Sequence, residues 1–377
     1  MARQSQNKSL NSSIIIVCEG TETENEYLKV FADESVIECR VVPQPEEIVD
    51  KAAKKNREKK IERQLKEGDD DSFTGPEYYV GLPEIDQKTY DEYRCEPRRW
   101  VRATQLFMER KGFSEGWAVY DLDNKSGRTE DQHRIAREDA SKVENLFIAF
   151  SSYCIEEWFL LHFERNTKAF DCSECKYKKD GHHKENIGCG DASCICPEDN
   201  CHGEKCLSGY LREKGYIKEY SKNKGADYVD ITRDKLHKAC VNAVWSRSLK
   251  QDAQPFECNP YTDIDKLILR LLGKENNMDI RWVTVDKEFK VGSSTMIIRK
   301  VDLKIRLECL SKTGFLVDPN SIFWCNDDDY QTSIQNATNL SKKTVCDQNN
   351  PIEIVNKPHS NAILCLKNGN QEFYFEL

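Results

Sequence analysis

The stretch Ile14–Tyr27, IIIVCEGTETENEY, decides the fold. Four aliphatic residues and Cys18 make an apolar run of the length of a buried strand. Glu19 closes the run, Gly20 turns the chain, and two Thr-Glu pairs lead into a segment able to start a helix. That order puts Glu19 at the carboxyl end of a strand, where open α/β sheets build their sites.

Working outward, the pattern repeats. Further strands are expected at Val36–Val42, Trp117–Tyr120 and Leu146–Phe150. Helices are expected at Glu24–Phe31, Glu46–Leu65, Arg98–Lys111, Thr129–Val143 and Cys154–Phe163. Alternating strands and helices predict the α/β class, a mainly parallel sheet flanked by helices. More helical pattern follows at Leu207–Lys214, Arg233–Gln251 and Ile264–Leu272. After Lys274 the texture changes. Val301, Leu303, Ile305, Leu307 and Cys309 alternate with Asp302, Lys304, Arg306 and Glu308, which reads as one half-buried strand. Ala362–Leu366 and Glu372–Leu377 flank Asn368-Gly369, a hairpin signal. Residues 277–377 are therefore expected to form a C-terminal all-β domain, an immunoglobulin-like sandwich.

The totals bound the function. The chain has 377 residues, 32% charged and 38% hydrophobic, with a net charge of −9. That balance argues against a globally basic nucleic-acid binder and leaves room for a local basic groove. No apolar run approaches the roughly 18 residues of a membrane span. The opening MARQSQNKSLNSS is polar, without an apolar signal region, so a cytoplasmic protein with no membrane partner is expected. Seven of the 17 cysteines lie between Cys172 and Cys206. The other ten are scattered through apolar segments and read as small buried hydrophobes.

Four constellations bear on chemistry. In the first, Asp121 and Asp123 follow the apolar run Trp117–Tyr120, as Glu19 follows its own run. Residues two apart on a strand face the same way. Three convergent carboxylates need a cation between them, and hard oxygen ligands suit Mg²⁺ or Mn²⁺, which polarise phosphodiesters and generate hydroxide. The competing reading is a turn with helix-capping acids. The second is SSYCIEEWFLLHF at Ser151–Phe163, where Glu156 and His162 stand among large apolar residues. They are either functional or a dipole-satisfying acid and a core histidine.

The third is the cysteine cluster: Cys172, Cys175, His182, Cys189, Cys194, Cys196, Cys201 and Cys206, with almost no aliphatic residues between them. Such a segment cannot build a hydrophobic core, so structural Zn²⁺ is expected to order it. The rival is a thiol-rich loop without metal. The fourth is a pair of basic stretches. Lys51–Lys66 holds eight basic residues, Lys54, Lys55 and Arg57 among them. The segment from Tyr210 to Lys224 interleaves Lys218 and Lys222 with tyrosines. Both read either as solvated surface or as phosphate contacts, with tyrosines to stack on unpaired bases.

Together these residues resemble the RloB-like family, a branch of the Toprim fold. The likeness covers about residues 13–275, with inserts at roughly 55–95 and 171–206. It rests on Glu19-Gly20-x-x-Thr23-Glu24-x-x-Tyr27, on Trp117 with Asp121 and Asp123, and on Ser151, Cys154, Glu156, Trp158, His162 and Phe163. Asn259-Pro260-Tyr261-Thr262-Asp263 resembles the family's closing segment. The chain departs from the pattern at Ser152, Tyr153 and Ile155, where the family has Asn, Pro and Phe.

The resemblance implies a Toprim-like sheet whose Glu19, Asp121 and Asp123 bind Mg²⁺, with Glu24 and Glu156 as further ligands or proton handlers. It implies a nuclease acting on DNA or RNA, tRNA included, as an effector of abortive infection against phage. It also implies control by an ABC- or SMC-type ATPase encoded nearby. The cysteine insert and the β domain fall outside the family pattern. A different class of protein fits the same residues: a non-catalytic adaptor that binds nucleic acid or partner proteins through the zinc and β modules. A third reading is a redox or zinc sensor on residues 172–206.

Overall fold

A computed structural model describes residues 12–20, 22–42, 97–122, 129–170, 206–218, 220–221, 224–250, 252–274, 278–301, 304–327, 329–347, 349–355 and 357–377. The chain divides into two compact units. The first is 1–157, 168–231 and 253–272, and the second is 158–167, 232–252 and 273–377.

The first unit is built on four strands: β1 (Ser13–Cys18), β2 (Glu38–Val42), β3 (Glu115–Asp121) and β4 (Leu146–Ser151). They lie in the order β2-β1-β3-β4 and all pair in parallel. The connections carry α1 (Thr23–Glu34), α2 (Pro97–Lys111) and α3 (Glu130–Ser141). This is the parallel sheet with flanking helices expected from the alternation. β1 has every residue after Ser13 fully buried, as an interior parallel strand should. Ile15, Val17, Ala118, Tyr120 and Phe150 form a core with Trp100, Val101 and Phe107 of α2 and Ala136 and Ala140 of α3. Thr129 caps α3 in a capping box with Gln132.

The strand order sets the site. From β1 the chain steps one way to β2, then returns past β1 to β3 on its other side. The sheet therefore reverses direction between β1 and β3, and ligands in open α/β sheets bind at such a switch point, outside the carboxyl ends of the strands.

Five more α-helices follow among the described residues: α4 (Glu156–Leu161), α5 (Leu207–Glu213), α6 (Gly225–Thr232), α7 (Leu236–Ser248) and α8 (Ile264–Leu271). The helix expected at Arg233–Gln251 starts with a 3-10 turn at Arg233–Lys235 before α7. Leu146 to Ser151 at the sheet edge is closed by the later chain. Asp263 N–H donates to the Phe150 carbonyl at 2.8 Å, Ser152 N–H to the Tyr261 carbonyl at 2.8 Å, and the Ser151 and Thr262 hydroxyls meet at 2.8 Å.

The second unit is mostly β. Strands β5 (Asp279–Trp282), β10 (Ile322–Asn326), β11 (Asp329–Asn336), β14 (Ala362–Asn368) and β15 (Gln371–Phe375) make one sheet in the order β11-β10-β14-β15-β5. Strands β6 (Glu288–Val291), β7 (Ser294–Val301), β8 (Lys304–Cys309) and β13 (Ile352–Ile354) make a second, in the order β13-β8-β7-β6. β9 (Phe315–Val317) and β12 (Thr344–Cys346) pair separately.

Trp324, Leu364, Phe373 and Phe375 from one sheet share a core with Met296, Ile298 and Leu307 from the other. The hairpin at Asn368 forms as expected, with Asn368 opposite Gln371. The run from Val301 to Cys309 is not one strand: Val301 ends β7 and pairs antiparallel with Lys304 of β8. Alternation survives a chain reversal, so periodicity alone does not reveal the turn.

Helix α7 belongs to this unit. Asn242, fully buried, donates to the Leu161 carbonyl at 2.7 Å and accepts from the Tyr330 hydroxyl at 2.8 Å. Trp282 Nε1 donates to the Val241 carbonyl at 3.0 Å. Arg165 lies over the Trp245 and Trp282 rings, 5.1 and 5.7 Å from their centroids. These contacts tie Trp158–Thr167 and α7 to the outer face of the five-stranded sheet.

Candidate functional site

Glu19 and Asp121 stand side by side at the switch point. Glu19 N–H continues the sheet by donating to the Val119 carbonyl at 2.8 Å. Its carboxylate then turns across to β3 and accepts from the Asp121 N–H at 3.3 Å. A small pocket is lined by Glu19, Glu24, Tyr120, Asp121, Ser151 and Ile155, with Val119 and Ile264. Three of the five expected catalytic acids thus line one pocket: Glu19 just after β1, Glu24 in α1 and Asp121 at the end of β3. Ser151 joins them at the carboxyl end of β4, the next strand.

Gly20 makes room for Glu24. A side chain at this position would run into the Glu24 carboxylate. Burial first, and then the Glu24 charge, push the Cys18 thiol well above its ordinary value, so Cys18 is an inert hydrophobe beneath the acids. Gly20→Ala is expected to displace the Glu24 carboxylate, because the obstructed group is the far end of a flexible side chain. Unfolding free energy should change by less than about 1 kcal/mol, as read by urea titration, and a larger loss would mean that the Glu24 carboxylate cannot move aside.

Glu156 is 1% exposed and accepts a hydrogen bond from the Tyr220 hydroxyl. The Tyr220 ring is 6% exposed and stacks on Tyr228 at 5.1 Å and 18°. Tyr220 is therefore an interior residue rather than a member of the exposed stacking stripe expected at 210–224. The sequence offered only the surrounding Tyr-Lys pattern, which does not tell a buried tyrosine from an exposed one.

Between Ser151 and Glu156 the chain carries Ser152, Tyr153 and Ile155, where the resemblance implied Asn, Pro and Phe. Tyr153 has φ 63°, which a proline ring cannot adopt. The turn instead holds through Ser152, whose hydroxyl accepts from the Tyr261 N–H at 2.7 Å.

His162 belongs to the second unit and is a core histidine. It is fully buried, with Nδ1 2.9 Å from the Trp158 carbonyl and its ring edge-on to Trp158 at 4.6 Å. Burial pushes its pKa down to about 3, against the opposing bonds to the Trp158 and Phe159 backbone. The unfolded chain binds this proton near pH 6.5 and the folded chain does not. Stability is therefore complete above about pH 6.5 and is lost as pH falls toward 3. Between about pH 7.5 and 5.5 the wild type should lose about 1.4 kcal/mol more than His162→Leu, as read from urea midpoints at both pH values.

Other expected residues are placed as follows. Asp123 lies outside the described residues, as do Lys54, Lys55, Arg57 and Lys222. So do Cys172, Cys175, His182, Cys189, Cys194, Cys196 and Cys201. Lys218 is exposed. Cys206 is 1% exposed at the start of α5. Among the described residues no three His, Cys, Asp or Glu side chains form a metal-holding group. None of the described helices is long and apolar enough to cross a membrane.

The fold and site define an α/β protein with an acidic pocket at the switch point of a parallel sheet. Within that class the chain belongs to the RloB-like protein family, whose model matches residues 14–271. Strands β5 to β15 lie beyond that match. No curated protein and no solved structure matches the chain.

Proposed function

We propose that the chain is a metal-dependent phosphodiesterase of the Toprim type, a nuclease that serves as an effector of abortive infection in bacterial defence against phage. One observation carries the reading: Glu19 and Asp121 come from adjacent strands into one pocket, together with Glu24. The donor set fits a hard divalent ion. It is all oxygen, and Mg²⁺ is commonly held by one or two carboxylates with its remaining positions left to water and phosphate. Asp123, two residues beyond Asp121, would add a further acid. A divalent ion bound there supplies Lewis acidity at a phosphoryl oxygen and a hydroxide at neutral pH.

Glu19 and Asp121 would hold and orient the ion, with the Asp121 N–H fixing one Glu19 oxygen. Glu24, lodged against Gly20, would receive a proton from the attacking water. Lys218, with Lys54, Lys55, Arg57 and Lys222, would guide the nucleic acid, and a zinc-ordered 171–206 insert would shape the groove. The β strands, as an immunoglobulin-like module, would dock an ABC- or SMC-type ATPase in the cytoplasm.

The test is cleavage of labelled DNA, RNA and tRNA by purified protein with Mg²⁺ or Mn²⁺. Cleavage abolished by chelator and restored by the ion supports the reading. Nucleic-acid binding with no cleavage under any ion would favour the adaptor instead.

A further inference from the structure

A second buried acid arrangement adjoins the pocket. Glu156 directly follows Ile155, which lines the pocket, yet its carboxylate is turned into the interior and bonded by Tyr220. The chain around Tyr220 is held by contacts that do not involve its hydroxyl. Arg212 Nη1 donates to the Tyr220 carbonyl at 3.2 Å. The Tyr228 hydroxyl accepts from the Ser221 N–H at 2.5 Å and donates to the Ser221 carbonyl at 2.6 Å. Gly225 N–H donates to Glu26 Oε2 at 2.9 Å, and its missing side chain lets the backbone lie against the Thr23 carbonyl. With the ring also stacked on Tyr228, the phenol oxygen is not needed to place Tyr220. Its bond acts on Glu156.

The electrostatics agree. Burial first, then the Glu156 charge and the bond to it, with smaller parts from Cys154 and Glu24, push the Tyr220 phenol well above its ordinary value. The hydroxyl therefore remains a donor, and it lies within the field of both the buried Glu156 and the pocket-lining Glu24.

We propose that Tyr220 is a specificity-determining positioning residue: by holding Glu156 inward, it limits the carboxylates that line the pocket to Glu19, Glu24 and Asp121, and so favours a small hydrated cation over a large one. This rests on the metal-site reading above. The physical reason is coordination number. Mg²⁺ is octahedral and keeps its waters, whereas Ca²⁺ takes six to eight oxygens and gains from each added carboxylate. Without the phenol, Glu156 is a buried charge that has lost its donor, and turning toward the cation relieves it. Partners one step removed from an ion change its affinity by about 10–100-fold.

The experiment compares wild type, Tyr220→Phe and Tyr220→Phe/Glu156→Gln. Phenylalanine keeps the stacked ring. Mg²⁺ and Ca²⁺ affinities are read by competition against bound Mn²⁺, and folding by urea titration. Tyr220→Phe is expected to shift the ratio of affinities toward Ca²⁺ by about tenfold. The double variant should return the ratio to within about threefold of wild type, because a neutral amide has no drive toward the cation. If Tyr220→Phe fails to fold, Glu156→Gln alone should retain the wild-type ratio, because a Glu156 held inward does not meet the ion, and a shift of the ratio there overturns the proposal.

An unchanged ratio in Tyr220→Phe overturns it too, even if stability falls, since a purely structural bond would not sort the two ions. A double variant as shifted as the single one also overturns it. Wild type that binds none of the three ions removes the metal-site reading itself. That result differs from wild type binding with an unchanged variant.

Discussion

Asp121→Asn and Glu19→Gln should each reduce ion-dependent cleavage by on the order of 10³-fold while leaving the protein folded. Both side chains sit at strand ends, and neither belongs to the hydrophobic core that holds the sheet. Each substitution keeps the shape and removes a negative charge from the pocket. The two losses should also be far from multiplicative, because two ligands of one ion act as a unit. Calorimetry with Mn²⁺ supplies the independent reading: affinity should fall with activity. Cleavage that persists in both variants would remove Glu19 and Asp121 from the mechanism. Asp121→Asn also separates two roles. The Asp121 N–H that bonds Glu19 is backbone, so the substitution leaves it in place.

The largest stability effect away from the pocket is expected at Arg270. This residue of α8 grips Glu115 at the start of β3. Nε donates to both carboxylate oxygens at 3.1 and 2.9 Å, and Nη2 to Oε2 at 2.8 Å. Trp117 Nε1 adds a bond to Glu115 at 2.7 Å. Glu115 is only 9% exposed, so Arg270→Met strands a nearly buried carboxylate. A fully buried pair would cost 3–5 kcal/mol on losing one partner.

The 23% exposure of the Arg270 side chain and the remaining Trp117 bond reduce the expectation to about 2–3 kcal/mol. Arg270→Met/Glu115→Met should recover to within about 1 kcal/mol of wild type, since removing both charges removes the desolvation penalty. Urea titration of the four proteins gives the coupling. Glu115 and Asp121 occupy opposite ends of β3, so Mn²⁺ affinity should be unchanged in the folded Arg270→Met protein. A loss there would mean that the Arg270–Glu115 pair also sets the pocket, which Ile264 at the other end of α8 lines.

Local pattern carried much of this. Ile14–Cys18 had to be a buried parallel strand, because an unbroken aliphatic run has no polar face to offer water. Glu19 and Asp121 had to sit at strand ends, because each follows the last apolar residue of its run. The hairpin at Asn368 followed from its turn residues. Other features were hidden by a reversal that keeps the pattern's phase, or by packing between distant parts of the chain. Val301 opposite Lys304 was invisible because the alternation keeps its phase through the turn. His162 read more readily as a core residue than as a base, and only its neighbours decided the matter. Burial then decided it, since an imidazole with no water around it stays neutral.

By itself, then, the sequence determined the α/β class, the sheet's parallel character and the acids at its strand ends. These depend on the order of apolar and polar residues over a few positions. Only the tertiary structure decided that β1 and β3 are neighbours, so that Glu19 and Asp121 share a pocket with Glu24. It also decided that Glu156 turns inward to Tyr220, and that α7 packs on the β strands of the second unit. Each of these is a contact between residues far apart in the chain. Its free energy comes from burying surface and satisfying hydrogen bonds across that gap, and a local pattern holds no record of which distant partner will do so.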